Sequence, residues 1–283
     1  MIRIAIQTKG RLNEESVGLL RDAGIRFRED RRRFLLKSTD FPVEALYLRD
    51  DDIPEAVRDG AADAGIVGYN EVAEKGFDVE VLMRLSFGRC RLSLAVPENA
   101  EYTGPDYFNG KTIATSYPNI LSGYLKSNNI DANVRVIAGS VEIAPAAGLA
   151  DSVFDIVSSG ATLVSNGLEE VEKVLDSEAV LIVRKGLPEE KKALLDELVF
   201  RFTSVINGRG AKYLLMNLPS GSIDKAVKIL PALRSPTIMP LAQSGWSSMH
   251  SVVKESELWD KIASLKEIGA EGILVLDVEK IIL

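Results

Sequence analysis

The chain has 283 residues, is 46% hydrophobic and 27% charged, and carries a formal net charge of −7. That length holds one large domain or two to three smaller ones, and the acidic balance argues against a nucleic-acid or anionic-membrane surface, though not against small anions, which need only local positive charge. Cys90 is the single cysteine and His250 the single histidine, which leaves no room for an intrachain disulfide or a cysteine metal cluster and argues against a His-based catalytic triad or a multi-His zinc site.

Ile2, Ile4 and Ile6 alternate with Arg3 and Ala5 and predict a strand, and residues 12–23 read as a helix stopped by Gly24. Lys9 and Arg11 therefore stand where a first strand meets a first helix. They read equally as solvated turn cations or as ligand cations at a strand C-terminal end, where open α/β sheets bind. A charged turn with Arg31, Arg32 and Arg33 leads into strands at 34–36 and 43–48. In Arg49-Asp50-Asp51-Asp52-Ile53-Pro54 the three acids suggest either a metal site or, the preferred reading, an N-cap for a helix over 55–59. Residues 64–68 form a short buried strand and 70–75 a helix. The order up to Leu85 is βα-ββ-αβα, a small α/β domain.

Residues 89–97 read as a strand apolar enough to cross into a second domain. A loop over 99–109, a strand from 111, a helix over 120–126 and a strand over 134–139 follow. Ser140 is expected to cap a helix running to about residue 149, with Glu142 in its first turn and Pro145 near its start. After the segment 151–167, extended stretches at 170–175 and 179–183 lead back toward the first domain. Pro188 opens a long amphipathic helix, with Leu194, Leu195, Leu198, Val199, Phe202, Val205 and Ile206 at helical spacing, ended by Gly208. The remainder reads β-α-β-β-α-β over 211–278, a ferredoxin-like order with no convincing catalytic group. His250 falls on one of its strands and reads as packed or hydrogen-bonded; Cys90 reads as structural.

The segment 151–167 carries the chemistry. Val153-Phe154-Asp155-Ile156-Val157 is a strand, Ser158-Ser159-Gly160-Ala161-Thr162 a loop of small residues, and Leu163-Val164 a short helix stopped at Asn166-Gly167. A loop with so little bulk lets an anion approach backbone N–H groups, and three hydroxyls add donors. Asp155 just upstream cannot bind phosphate but accepts hydrogen bonds from sugar hydroxyls. Together they suggest a ribose 5-phosphate site; the plain alternative is a turn followed by a solvated acid.

Asp155-Ile156-Val157-Ser158-Ser159-Gly160-Ala161-Thr162-Leu163 and the following Asn166-Gly167-Leu168-Glu169-Glu170-Val171-Glu172 resemble the phosphoribosyl-diphosphate loop of the ATP phosphoribosyltransferase family. Further blocks match in the same order: Lys9-Gly10-Arg11-Leu12, Arg49 to Pro54, Gly65 to Gly68, Cys90 to Leu94, Thr115 to Pro118, Gly139 to Glu142 and Ser235 to Ile238. The resemblance runs from Ile2 to Lys280, and the C-terminal module is that of the long form of the family.

The resemblance implies a fold of two periplasmic-binding-protein-like α/β domains around a cleft plus a C-terminal ferredoxin-like regulatory domain. The first domain would take residues 1–88 plus 180–196, the second 89–179 and the regulatory module 197–283. It implies attack of the N1 atom of ATP on C1 of phosphoribosyl diphosphate, releasing diphosphate, as the first step of histidine biosynthesis. Asp155, Lys9 and Arg49 are then the expected catalytic residues. Glu142, Asp155, Ser158, Ser159, Gly160, Ala161 and Thr162 would bind phosphoribosyl diphosphate, and Lys9, Gly10, Arg11, Arg33, Arg49 and Tyr117 ATP or diphosphate. Mg2+ is expected, held largely by diphosphate oxygens and water. Histidine would inhibit through Asn217, Leu233, Ser235 and Thr237, more weakly here than in relatives that carry an acid at the position of Asn217, because Asn supplies no charge. AMP is a further candidate ligand, and dimers assembling into hexamers are implied, in the cytoplasm, with no nucleic-acid or membrane partner. Two rivals are a non-catalytic anion-binding protein with the same cleft and a regulatory protein built on a degenerate enzyme; the intact loop opposes the second.

Overall fold

Ile2, Ile4 and Ile6 are at most 1% exposed, and their alternation makes β1 (Ile2–Gln7) the centre of the first sheet. The structure, a computed structural model, describes residues 1–27, 34–230 and 233–283. Two compact units are present, Met1–Glu197 and Leu198–Leu283.

In the first unit β1 is followed by α1 (Arg11–Asp22), β2 (Leu35–Lys37), β3 (Val43–Leu48), α2 (Ile53–Arg58), β4 (Ala64–Gly68), α3 (Tyr69–Lys75) and β5 (Val79–Arg84). Next come β6 (Cys90–Pro97), β7 (Thr112–Thr115), α4 (Pro118–Ser127), β8 (Asn133–Val136), β9 (Ser152–Val157), α5 (Ala161–Ser165), β10 (Leu168–Ser177), β11 (Ala179–Arg184) and α6 (Glu189–Gly208), whose residues from Leu198 onward belong to the second unit. Two sheets result, ordered β2-β3-β1-β4-β11-β5 and β10-β6-β9-β7-β8. β1 pairs in parallel with β3 and β4, and β9 in parallel with β7, which pairs in parallel with β8. The chain crosses between sheets twice, between β5 and β6 and between β10 and β11. The two crossings lie side by side, because Leu85 N–H donates to Ala179 O and Ala179 N–H to Phe87 O, both at 2.9 Å. β11 inserts antiparallel between β4 and β5.

Each sheet buries its own apolar set. Ala5, Ile53, Val57, Val67 and Ile182 meet under the first sheet, and Leu92, Leu94, Phe108, Leu121 and Phe154 under the second. Three sequence expectations are corrected. Residues 79–84 form β5, although the chain reading left no strand there. The expected helix over 140–149 is only a 3-10 turn, Val141–Ile143, followed by turns. Ser140 sits at φ 47° and makes no side-chain cap bond, and Pro145 cannot donate the i→i−4 bond that would carry the turn onward. Asp52 likewise makes no side-chain cap bond. The three acids instead form a 3-10 turn, Asp50–Asp52, that runs directly into α2.

The second unit contains β12 (Ala211–Pro219), α7 (Ile223–Ile229), β13 (Thr237–Pro240), β14 (Trp246–Lys254), α8 (Leu258–Glu267) and β15 (Glu271–Asp277). The antiparallel order β13-β14-β12-β15 is that of a ferredoxin-like βαββαβ module. Leu214, Met216, Leu218, Met249 and Val253 point to the helices and are buried with Leu258 and Leu265. Gly208 ends α6 against the C-terminal segment: a Cβ there would lie 2.8 Å from Glu279 O and 2.9 Å from Lys280 N. Backbone cannot swing aside as a side chain can. Gly208→Ala is therefore expected to destabilise this unit by about 1–3 kcal/mol, read as a lowered melting temperature, whereas Gly221→Ala, with open space around it, should leave the melt unchanged.

Candidate active site

The site lies where strands of the first unit end. The carboxyl ends of β1, β3, β4 and β9 lead into the segments that bring Arg11, Asp50, Gly68 and Ser158 to one cleft, the usual position for ligands in open α/β sheets. One cavity of 290 Å³ is lined by Arg11, Glu15, Gly88, Arg89, Ser158 and Ser159. A second, of 190 Å³, shares Arg11, Glu15, Gly88 and Ser158 and extends to Gln7, Asp50, Asn70, Glu71 and Cys90. Two arginines thus face two loop serines.

The loop follows the strand–loop–helix pattern. Gly160 takes φ 81° at the head of α5, a left-handed conformation that a side chain resists. Ser158 and Ser159 are exposed, as are Ala161 and Thr162. Ser159 Oγ accepts from Ala161 N–H at 3.4 Å. The base of the loop is fixed from below: Arg91 donates to Ser158 O at 3.3 Å and is ion-paired with Glu170, whose carboxylate also accepts from Ser93 Oγ at 2.7 Å. Arg91 holds the Glu170 carboxyl below the usual carboxylate range.

Asp155 is partly buried on β9. Burial pushes its carboxyl up to about 6, the Ile156 backbone N–H opposes that rise, and the charge of Glu142 adds to it. Two acids therefore share one field beside the loop. Glu142 is partly buried in the 3-10 turn that follows Ser140, whose positive φ stores strain at this spot.

The cations divide. Arg11 lines both cavities, and Lys9 and Gly10 are exposed on the same turn. Arg49 is exposed, outside the lining of both cavities, and its Nε donates to Asp51 at 3.2 Å. Arg33 lies outside the described residues. Tyr117 is 8% exposed. Its ring packs into the second sheet's core, and its hydroxyl donates to Glu71 Oε1 at 3.0 Å. In the second unit Asn217 and Thr237 share one sheet face, opposite Ser248 and His250 respectively. Leu233 lines a separate cavity with Val252 and Lys254, and Ser235 is exposed with its hydroxyl on Pro236 O at 3.4 Å. His250 is held between Tyr213 Oη at 2.7 Å and Ser248 Oγ at 3.3 Å. Cys90 is half-buried beside Ser177 and its thiol is raised by burial.

Sequence reasoning missed Glu15, Arg89, Asn70 and Glu71 as cleft residues. Signals existed: Glu15 falls one helical turn after Arg11, and Asn70-Glu71 lies in the first turn after a buried strand that ends at Gly68.

Fold and cleft together define a two-lobed α/β protein with a small-residue anion loop at its strand ends, followed by a ferredoxin-like module. The family model for ATP phosphoribosyltransferase (HisG) matches residues 49–204, and that for the HisG C-terminal domain matches residues 208–280. The ATP phosphoribosyltransferase of Bacteroides fragilis is 54% identical over 283 residues, covering all of both chains. That of Cytophaga hutchinsonii is 53% identical over 282 residues, covering 100% of this chain and 99% of the relative. The ATP phosphoribosyl transferase (HisG:HisZ) complex of Thermotoga maritima superposes with a TM-score of 0.61 at 28% identity, over 71% of this chain and 98% of that one. The chain belongs to the ATP phosphoribosyltransferase family, in its long form, and is a pentosyl-transferring enzyme of the first step of histidine biosynthesis.

Proposed function

We propose that the cleft carries out the transfer of phosphoribosyl from phosphoribosyl diphosphate to N1 of ATP with the residues assembled above. The observation that carries the assignment is the 290 Å³ cavity in which Arg11 and Arg89 face Ser158 and Ser159. The loop Ser158-Ser159-Gly160-Ala161-Thr162 takes the 5-phosphate, and Asp155 and Glu142 take the ribose hydroxyls. Lys9, Gly10, Arg11, Arg33 and Arg49 face the diphosphate and the phosphates of ATP. N1 attacks C1 as the C1–O bond breaks and its electron pair leaves with diphosphate, through an oxocarbenium-like state. Positioning and charge do the work; N1 has its own lone pair, so no strong base is needed to create the nucleophile. Tyr117 enters through its hydroxyl, since its ring is committed to the core.

The family implies a divalent cation, and we take Mg2+ as the ion. Among the described residues no three His, Cys, Asp or Glu side chains gather as a metal site. The described residues offer no cage of their own, and no step here runs through the ion. The proposed catalytic halves are residues 1–88 plus 180–196 and 89–179, followed by 197–283. Histidine inhibition is placed on Asn217, Leu233, Ser235 and Thr237, with AMP as a further ligand, and assembly from dimers to hexamers. A cytoplasmic setting suits a biosynthetic enzyme, and no helix among the described residues is long and apolar enough to cross a membrane.

The test is an absorbance assay with ATP, phosphoribosyl diphosphate and Mg2+, with pyrophosphatase present, following the N1-substituted adenine. Product is expected, and histidine is expected to suppress it. No product under these conditions would turn the reading to an anion-binding protein. Thr237→Trp is expected to relieve histidine inhibition at unchanged basal rate; inhibition at full strength in that variant would remove Thr237 from the histidine site.

A further inference from the structure

Glu71 is a carboxylate at the floor of the cleft with a built environment. It is 7% exposed and sits in the first turn of α3. Its Oε1 takes both of its side-chain hydrogen bonds, from Asn70 Nδ2 at 2.8 Å and from Tyr117 Oη at 3.0 Å. Asn70 is itself fixed, because Ser177 Oγ donates to its Oδ1 at 2.9 Å and accepts from its backbone N–H at 3.0 Å. The carboxylate is thereby locked in one orientation, with Oε2 left for a ligand. Glu71 lines the 190 Å³ cavity together with Asn70, Gln7 and Ser158, so a ribosyl group anchored on the serine loop and a base resting on Glu71 occupy one space. The charged groups that face it are Asp50 and Asp51 from the turn before α2 and Lys75 from α3 itself, with Arg11 and Cys90 on the cavity wall and Tyr117 beside Asp155.

The reaction leaves a charge to be answered. When N1 donates its lone pair to C1 and diphosphate departs with the C1–O pair, the adenine ring becomes a cation spread over N1, C6 and the 6-amino group. We propose that Glu71 is a catalytic residue whose free carboxylate oxygen accepts a 6-amino hydrogen of the adenine, balancing the charge that develops as the N1–C1 bond forms. If that proton moves to the carboxylate, the adenine is left as its neutral imino form and the sum of charges is conserved. This inference rests on the transfer reaction proposed above. Burial pushes the Glu71 carboxyl up to about 7, against the Tyr117 hydroxyl bond, which lowers it, and with Asp50 and Asp51, which raise it. The group therefore changes charge within the working range, and the ionised form is the active one.

The experiment compares wild type, Glu71→Gln and Tyr117→Phe in the N1-product assay across pH 5.5–9, with phosphoribosyl diphosphate binding followed in parallel by thermal shift. In Glu71→Gln an amide oxygen still accepts from Asn70 and Tyr117 while the charge is gone. Its kcat is expected to fall about 100-fold or more, with phosphoribosyl diphosphate binding within a few-fold of wild type. The acid limb near pH 7 should be lost, leaving the lower one near 6 that belongs to Asp155. Titration of the substrates' own phosphates is common to all three proteins and cancels. A kcat within threefold of wild type, or an acid limb unmoved, overturns the proposal. Should Glu71→Gln not fold, Tyr117→Phe decides: losing the hydroxyl bond should move the acid limb to higher pH, and an unmoved limb overturns the proposal equally. Wild type that forms no product at all would instead bring down the transfer reaction itself.

Discussion

Asp155→Asn is expected to lose turnover by about 100- to 1,000-fold and yet melt at a higher temperature than the parent. The first effect follows from its place: a partly buried acid on the strand that leads into the anion loop, held in one field with Glu142. Asn keeps the shape and can accept from the Ile156 backbone N–H, but it brings no charge to a ribose that becomes electron-poor. The second effect follows from the direction of the pKa. The folded-state value, about 6, lies above the ordinary 3.8, so the folded chain prefers the proton. Folding then suffers no cost from this group below about pH 4. The cost grows as pH rises through the window between the two values and is complete above about 6. At full burial such a rise corresponds to about 3 kcal/mol, and partial exposure reduces it to about 1–2 kcal/mol. Melting curves at pH 8 should favour the variant by a few degrees, and the gain should vanish at pH 4. A variant that melts below the parent at pH 8 would show that the ionised carboxylate is stabilised by its surroundings rather than strained by them.

Glu74→Ala should carry the largest cost in stability among the polar groups described. Glu74 lies on α3 and is 8% exposed. Its carboxylate accepts from the backbone N–H of Asn119 at 2.9 Å and of Ile120 at 3.0 Å, and its own carbonyl accepts from Asn119 Nδ2 at 3.0 Å. Those two amides belong to the first turn of α4, where no intrahelical acceptor exists, and they sit at the positive end of a ten-residue helix. A helix on one sheet therefore supplies the cap for a helix on the other. Removing the carboxylate leaves two amides without a partner and is expected to destabilise the first unit by about 3 kcal/mol, or roughly 6–12 °C in melting temperature. Glu74→Gln, which keeps one acceptor, should cost about half. Hydrogen exchange would locate the effect: the amides of Asn119 and Ile120 should lose protection first, and equal loss across α4 and the second sheet would argue for general loosening instead.

Much of this was legible in the chain. The βαββαβ module could be read because its apolar runs and turn signals recur in that order; along β12 the burial alternates, with Leu214, Met216 and Leu218 inward and Tyr213, Leu215 and Asn217 outward. The loop 158–162 could be read because small residues between a strand and a helix are a local signal. What could not be read depends on distant pairing. Val79–Arg84 buries little of its surface, and it is a strand because β11 runs beside it. Residues 140–149 carry a plausible cap and good helix formers, yet Pro145 and the left-handed Ser140 stop the helix. Glu71 and Glu74 look like ordinary helix acids in sequence. Both acquire their meaning from Tyr117 and α4, which the chain brings in much later.

The insertion of β11 between β4 and β5 has a consequence for how the molecule is made. A ribosome delivers β1, β3 and β4 early, but β4 has no partner on its far edge, and β5 no partner at all, until the whole second sheet has followed. The second lobe is continuous in sequence and can close on the nascent chain as soon as β10 appears. The first lobe cannot. The earlier-born half finishes last, and until Ala179–Arg184 emerges, the strand carrying Ile66 and Val67 presents an open, apolar edge of the kind that chaperones hold and other nascent chains pair with.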